Sequence, residues 1–356
     1  MKNSLAKQRG LSLIELMIAL LLSALLLLGV LQIFDSNRSA IQMQTAFARV
    51  QESGRFAVEQ LAGDIRIASY WGCTADPASI ENHLSTIPAS SPLKGLYEEI
   101  GTKGVQGGDN SSGEKIGGID VLDGTDTLTL RGAQEACVGL GRIASSESAG
   151  SSMQLSGQCD LEPGDVVLLS SCQGADLLSI TNVPGKGGCN SNGNSNSNTG
   201  DDKFTANKGQ QCEFPNASGN NLKDDYPVDT RILKPFERTY FLANSTVTGR
   251  PSLYLADTGA SPMELVSGVD DMQILYGLDT DDNQVVDIWS SSENLDDAKM
   301  KNVLSVRVQL LISSDGSVQA DELMVTDLDD ETTTYTDGKL RKVYVTTTKI
   351  RNRGSL

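Results

Sequence analysis

The sequence predicts an α+β chain in which one long N-terminal helix packs against a mainly antiparallel β head. Three observations point there. Residues 11–34 run apolar for 24 positions, with Glu15 as the only charge. Beyond them, Val50, Gly54, Ala57, Leu61, Ile65 and Ala68 recur at three- and four-residue intervals, and no proline occurs before Pro77. After Cys73 the composition turns to short β-branched runs separated by Gly-, Asn- and Asp-rich turns. The first two patterns fit a helix and the third fits sheet.

Residues 1–10 are short and basic, carrying Lys2, Lys7 and Arg9. The apolar run that follows would extend roughly 36 Å as a helix, enough to span a bilayer. Positive charge ahead of it predicts that the C-terminal bulk faces outward. A secretory signal peptide has a shorter apolar region and a small-residue cleavage site, which is not evident here. A plain signal anchor explains the span but not Glu15, since a carboxylate in hydrocarbon is costly and usually marks function. Residues 35–70 read as a water-exposed continuation with one apolar face. A helix over about 11–70 would be on the order of 90 Å long. Gly54 and Gly63 on it are expected to be sites of close packing.

The head, residues 71–356, is expected to carry strands at 126–132, 165–171, 177–181, 238–243, 252–256, 272–278, 303–313 and 342–351, with no long helix between them. Residues 185–224 are rich in Gly, Asn and Ser and bury too little apolar surface to order themselves. The six cysteines are Cys73, Cys137, Cys159, Cys172, Cys189 and Cys212. None lies in a C-x-x-C pair, so structural zinc is disfavoured, and an even count behind a targeting segment suggests disulfides in an oxidising compartment. Six cysteines allow fifteen pairings and the sequence does not choose among them, although Cys189 and Cys212 bracket the middle of the 185–224 loop and joining them would restrain it.

The formal charge is −17, and three of the cations lie in the first nine residues, so the remainder is more acidic still. That argues against a nucleic-acid groove. The single histidine, His83, has no catalytic motif around it and reads as a surface or loop residue. The glycines lie outside any strand–loop–helix phosphate-binding context, so the chain reads as non-enzymatic. No cofactor is required. Calcium is the one candidate, at DTDDNQVVD, where Asp279, Asp281, Asn283 and Asp287 offer oxygens at alternating positions. A helix–loop–helix site wants Gly at position six and Glu at position twelve, and Gln284 and Ser290 stand there, so an acidic hairpin turn is the competing reading. The closing RKVYVTTTKIRNR gathers Arg341, Lys342, Lys349, Arg351 and Arg353, either as an ion-paired structural strand or as a basic contact surface for an acidic neighbour.

KQRG followed by LSLIELMIALLLSALLLL resembles a type IV prepilin leader, a short basic peptide ending in Gly before an apolar helix with Glu at its fifth residue. The resemblance implies cleavage between Gly10 and Leu11 by a prepilin peptidase and N-methylation of Leu11. Leu11 departs from the Phe or Met usual in that family, while remaining large and apolar. Glu15 would then pair with the amine of a neighbouring subunit and fix the stagger between helices, because a buried charge is tolerated only when paired. Further on, RTYFLANSTVTGRPSLYLA, MELVSGVDDMQILYGLDTDDN, KNVLSVRVQLLIS and KVYVTTTKIRNR resemble the PilW family of minor pilins. The family implies a pilin-like fold and a low-abundance subunit that helps initiate assembly of a type IV pilus. Its partners would be other minor pilins, the major pilin and a tip adhesin. It implies a single-pass inner-membrane protein with a periplasmic head that later enters the pilus. A type II secretion pseudopilin shares the leader, Glu15 and the long helix, and a signal-anchored periplasmic enzyme or binding protein is the alternative from another class.

Overall fold

One helix, α1 (Leu13–Ile67, 55 residues), carries the N-terminal part of the chain in the structure, a computed structural model. The structure describes residues 12–74, 79–145, 152–183, 186–189, 203–205, 212–217, 226, 230–318 and 321–353. The helix starts two residues later than the sequence predicts because Ser12 takes the N-cap position, extended at ψ 150°, and its hydroxyl accepts the Glu15 N–H at 3.3 Å. Ser12-x-x-Glu15 has the capping-box spacing, a start signal that the apolar pattern obscures. Residues 13–34 are exposed throughout. From Val50 onward the helix buries the face the spacing predicts, with Val50, Ala57, Leu61, Ile65 and Ala68 at 1 % exposure or less.

The helix ends at Ala68, which leaves helical geometry at ψ 152°, and Ser69 follows with φ 63°. A helix end exposes unpaired carbonyls. Here the chain's closing residues reach them: Arg351 N–H donates to the Arg66 carbonyl at 3.3 Å, and the Asn352 side chain donates to Ala68 at 3.3 Å.

Two sheets flank the buried half of α1. In the first, β2 (Arg231–Asn244) pairs antiparallel with β1 (Thr127–Glu135) on one side and β3 (Pro251–Asp257) on the other. Val105–Gly108 extends this sheet beyond β1, and Met263–Ser267 extends it beyond β3. The start of β2 also pairs with Val166–Ser170, which pairs with Ala175–Ser179. The second sheet is antiparallel in the order Ile288–Ser290, β4 (Val269–Leu278), β5 (Val303–Ser317) and β6 (Lys339–Lys349). One core joins all three layers, with Leu61 and Ile65 of the helix, Leu130 and Tyr240 of the first sheet, and Met272 and Val308 of the second. Alternation along β5 explains its placement: Val306, Val308, Leu310 and Ile312 all turn to this core.

Each of the eight expected strand segments falls on a strand. The expected close packing holds at Gly54, where an added Cβ would lie 2.2 Å from the Tyr344 ring, but not at Gly63, where a Cβ would meet nothing within 4 Å. Gly63 therefore needs correction: it sits on an open side of the helix.

Candidate functional site: an assembly helix and its anchorage

The exposed half of α1 has a mean hydropathy of 2.7 over its most apolar window, long and apolar enough to cross a membrane. Glu15 stands in its first turn, exposed. Gly10 and Leu11, the expected cleavage and methylation positions, lie outside the described residues.

Deeper along the helix, one carboxylate fastens it to the head. Asp64, buried on the helix face, accepts from Arg238 at 2.8 Å and from the Tyr240 hydroxyl. Arg238 in turn stacks over Phe236 at 4.9 Å. Burial and the neighbouring Asp64 charge push the Tyr240 phenol upward, so it stays a donor. Nothing in the apolar spacing marks Asp64. The signal that could have found it is an acid on the core face, between Leu61 and Ala68, which requires a buried partner.

A second fastening comes from β6. Tyr344 lies against Gly54 and donates to the Val50 carbonyl at 3.1 Å, while Lys342 sits over the Phe47 ring at 5.7 Å. Three disulfides tie the head: Cys73 to Cys172, Cys137 to Cys159 and Cys189 to Cys212. The first joins the chain just after the helix to the end of Val166–Ser170. The second joins directly paired residues of two adjacent strands. The third spans the Asn/Gly/Ser-rich loop, of which 185, 190–202, 206–211 and 218–224 lie outside the described residues.

The comparisons with known proteins fall on these same two parts. Residues 5–31 match the prokaryotic N-terminal methylation motif, and residues 239–352 match the family described as type IV pilus-assembly protein W. The two matches, to the leader and to the C-terminal third, support a PilW-family type IV pilin. The PilW match starts within β2, takes in Asp64's partner Tyr240, and runs through the whole second sheet to Asn352 at the helix end. No curated protein and no solved structure matches the chain. Both family matches are to pilin or pilus-assembly components rather than to enzymes, and the leader motif together with the apolar helix supports membrane anchoring and association with the pilus.

The acidic stretch at 279–287 is a hairpin loop joining β4 to Ile288–Ser290. The carboxylates of Asp279, Asp281 and Asp287 converge to within 4.8 Å and are the groups there that could hold a cation. Asp279 accepts the Asn283 and Gln284 N–H groups at 3.1 and 2.8 Å, and Asn283 accepts that of Val285 at 2.8 Å. Thr280 donates twice to Asp287 at 2.7 Å, and these bonds hold the Asp287 carboxyl below the usual carboxylate range. The loop's own donors thus occupy much of its oxygen surface.

His83 lies in a loop, as its sequence context suggests, but its ring is not free. Nε2 lies 2.8 Å from Asp176, which is fully buried and also accepts from Tyr226 at 2.6 Å. The Asp176 bond raises the imidazole above its ordinary value. Glu81 approaches the same two side chains, which makes a second convergence of possible ligand atoms.

Proposed function

We propose that this chain is a minor pilin that a prepilin peptidase cuts between Gly10 and Leu11, that is N-methylated on Leu11, and that enters a type IV pilus through α1. Before assembly, residues 11–34 hold it in the inner membrane as a single pass with the head, from about residue 71, in the periplasm, and residues 35–70 link the two. In the filament, Glu15 pairs with the trimmed amine of an adjoining subunit, and other minor pilins, the major pilin and a tip adhesin are the partners. The chain then helps to initiate or support assembly.

The observation that carries this reading is the single helix itself. One continuous element is fully exposed and apolar over residues 13–34, holds a lone carboxylate in its first turn, and is clamped into the head from Val50 onward. A bare apolar rod fixed to a folded head needs a surrounding of lipid or of like helices. The match at 239–352 supports a pilus rather than a type II secretion role.

N-terminal sequencing of protein extracted from membranes tests the processing step. The expected first residue is N-methylated Leu11; a mature protein that still begins at Met1 would sink the reading and favour a signal-anchored protein. Glu15→Ala tests incorporation. It is expected to leave cleavage intact while sheared-pilus fractions lose the subunit by tenfold or more, and normal recovery there would remove the pairing role. A deletion strain that loses fibres but keeps secretion separates the pilus from a secretion apparatus.

A further inference from the structure

The closing basic segment divides in two. Arg341 is consumed by Asp270 at 2.8 Å and by Asp337, also at 2.8 Å through its second nitrogen. Arg353 is enclosed, donating to the Val303 carbonyl at 3.2 Å and to Ser69 at 3.0 Å, and burial lowers its guanidinium to about 10. Lys349 and Arg351 differ. They are exposed and make no ion pair among the described residues, and the same holds for Arg66 in the last turn of α1. In a chain with 46 acidic and 29 basic side chains, cations usually find partners near by.

These three cations line one open groove of about 400 Å³ together with Thr347 and Thr348. The position of Arg66 has a local rationale, because a helix C-terminus favours positive charge. Lys349 and Arg351 arrive from a different element and add like charge at the same place, a cost that an anion in the groove would offset. Thr348 supplies an independent sign. It is 3 % exposed, lines the groove, and its hydroxyl has no hydrogen-bond partner. A buried hydroxyl is normally bonded. Arg307 extends the positive surface, stacked on Trp289 at 4.1 Å and donating to Thr347 at 3.2 Å.

We propose that this groove is a docking site for an acidic segment of an adjoining pilin subunit, whose carboxylates are received by Arg66, Lys349 and Arg351, with one accepting from the Thr348 hydroxyl. Lipid phosphate is not within reach. The helical rise from Phe34, where the apolar run ends, to Arg66 is about 48 Å, far beyond the headgroup layer. Protein carboxylates are the available anion: a copy of this chain itself exposes Asp329, Asp330 and Glu331 on one turn. The site rests on the pilin reading only for who brings the acid.

The test uses the full-length chain in a non-ionic detergent and a fluorescein-labelled peptide of six glutamates, read by anisotropy. Overall repulsion by a −17 chain suppresses adventitious binding of such a peptide, so saturable binding reports a local site. The triple variant Arg66→Ala, Lys349→Ala, Arg351→Ala is expected to weaken binding at least tenfold. Thr348→Val, nearly isosteric, is expected to weaken it about threefold with an unchanged melting midpoint, and Lys301→Ala, elsewhere on the head, is expected to leave it unaltered. Wild-type affinity in the triple variant overturns the proposal. So does complete displacement of the peptide by an equal concentration of inorganic phosphate, which would make the groove a small-anion site. In cells, Lys349→Glu with Arg351→Glu is expected to reduce surface pili while the subunit still begins at Leu11. A subunit beginning at Met1 would count against the pilin reading alone and leave the peptide result standing.

Discussion

Gly54 and Asp64 both lie on the buried side of α1, one against the second sheet and the other against the first, and set how closely and in what register the helix meets the head. At Gly54 the Tyr344 ring occupies the space a side chain would fill, and its hydroxyl is spent on the Val50 carbonyl. Gly54→Ala must displace that ring and break the bond, so a loss of about 1–3 kcal/mol is expected. Gly63→Ala should act in the opposite direction. Its Cβ enters open space inside a helix, where alanine is better than glycine by about 1 kcal/mol. Chemical denaturation of the two variants checks the pair, and equal signs would refute the packing account. Of these residues the sequence exposed Gly54, because it falls on the apolar period, and hid Asp64, because a carboxylate interrupts that period. Asp64 becomes intelligible only beside Arg238 and Tyr240, which are distant in the chain. Among the cations of the closing segment, residue type was legible but the division was not. Which of them are spent depends on Asp270, Asp337 and two backbone carbonyls that only the fold brings near.

The elements themselves were legible to the degree that their apolar period is clean. β5 and β6 alternate, and α1 repeats at three and four, so each stands out in the sequence. Met263–Ser267 and Val105–Gly108 are short and carry weak strand signals, since VQGG carries two glycines and MELVS only a partial alternation. They are strands because β3 and β1 offer them free edges. The junction between α1 and the first sheet depends on a covalent element as well. The Cys73–Cys172 disulfide closes a separation of 99 residues, and by chain entropy a loop of that length stabilises by about 4–5 kcal/mol. Cys73→Ser with Cys172→Ser is therefore expected to lower the denaturation free energy by several kcal/mol. Cys137→Ser with Cys159→Ser, across a separation of 22, should cost less, about 3 kcal/mol on the same relation. Guanidinium titrations of the two double variants read the difference, and the reverse order would show that strain or residual structure outweighs loop length.

At the scale of the whole molecule, the acidic charge and several buried titratable groups act in one direction. Asp126 is 2 % exposed between the two sheets, accepts the Ile274 N–H at 2.7 Å and the Asn110 N–H at 3.0 Å, and is pushed up to about 7, chiefly by burial, with Asp109 and Asp329 adding repulsion. Burial likewise raises Asp271 to about 6. His83 is raised by its bond to Asp176. In each case the folded state holds a proton that the unfolded chain gives up at lower pH, near 4 for the two aspartates and 6.5 for the histidine. Stability from these groups is therefore full below those values and is lost as pH rises through the folded ones. Net repulsion in a −17 chain also eases on mild acidification. At the acid end the sign reverses, because Asp337 and Asp287 are held below the usual range by Arg341 and Thr280, and protonating them removes those interactions. The melting midpoint is thus expected to be higher at pH 5.5 than at pH 8 and to fall again below pH 4. Asp126→Asn should flatten the limb between pH 5 and 8, and His83→Gln should remove a further share between 6 and 8. A midpoint that climbs steadily from pH 5.5 to 8 in the wild-type chain would mean that ion pairs formed on deprotonation dominate, and that these buried groups do not govern the stability of the head.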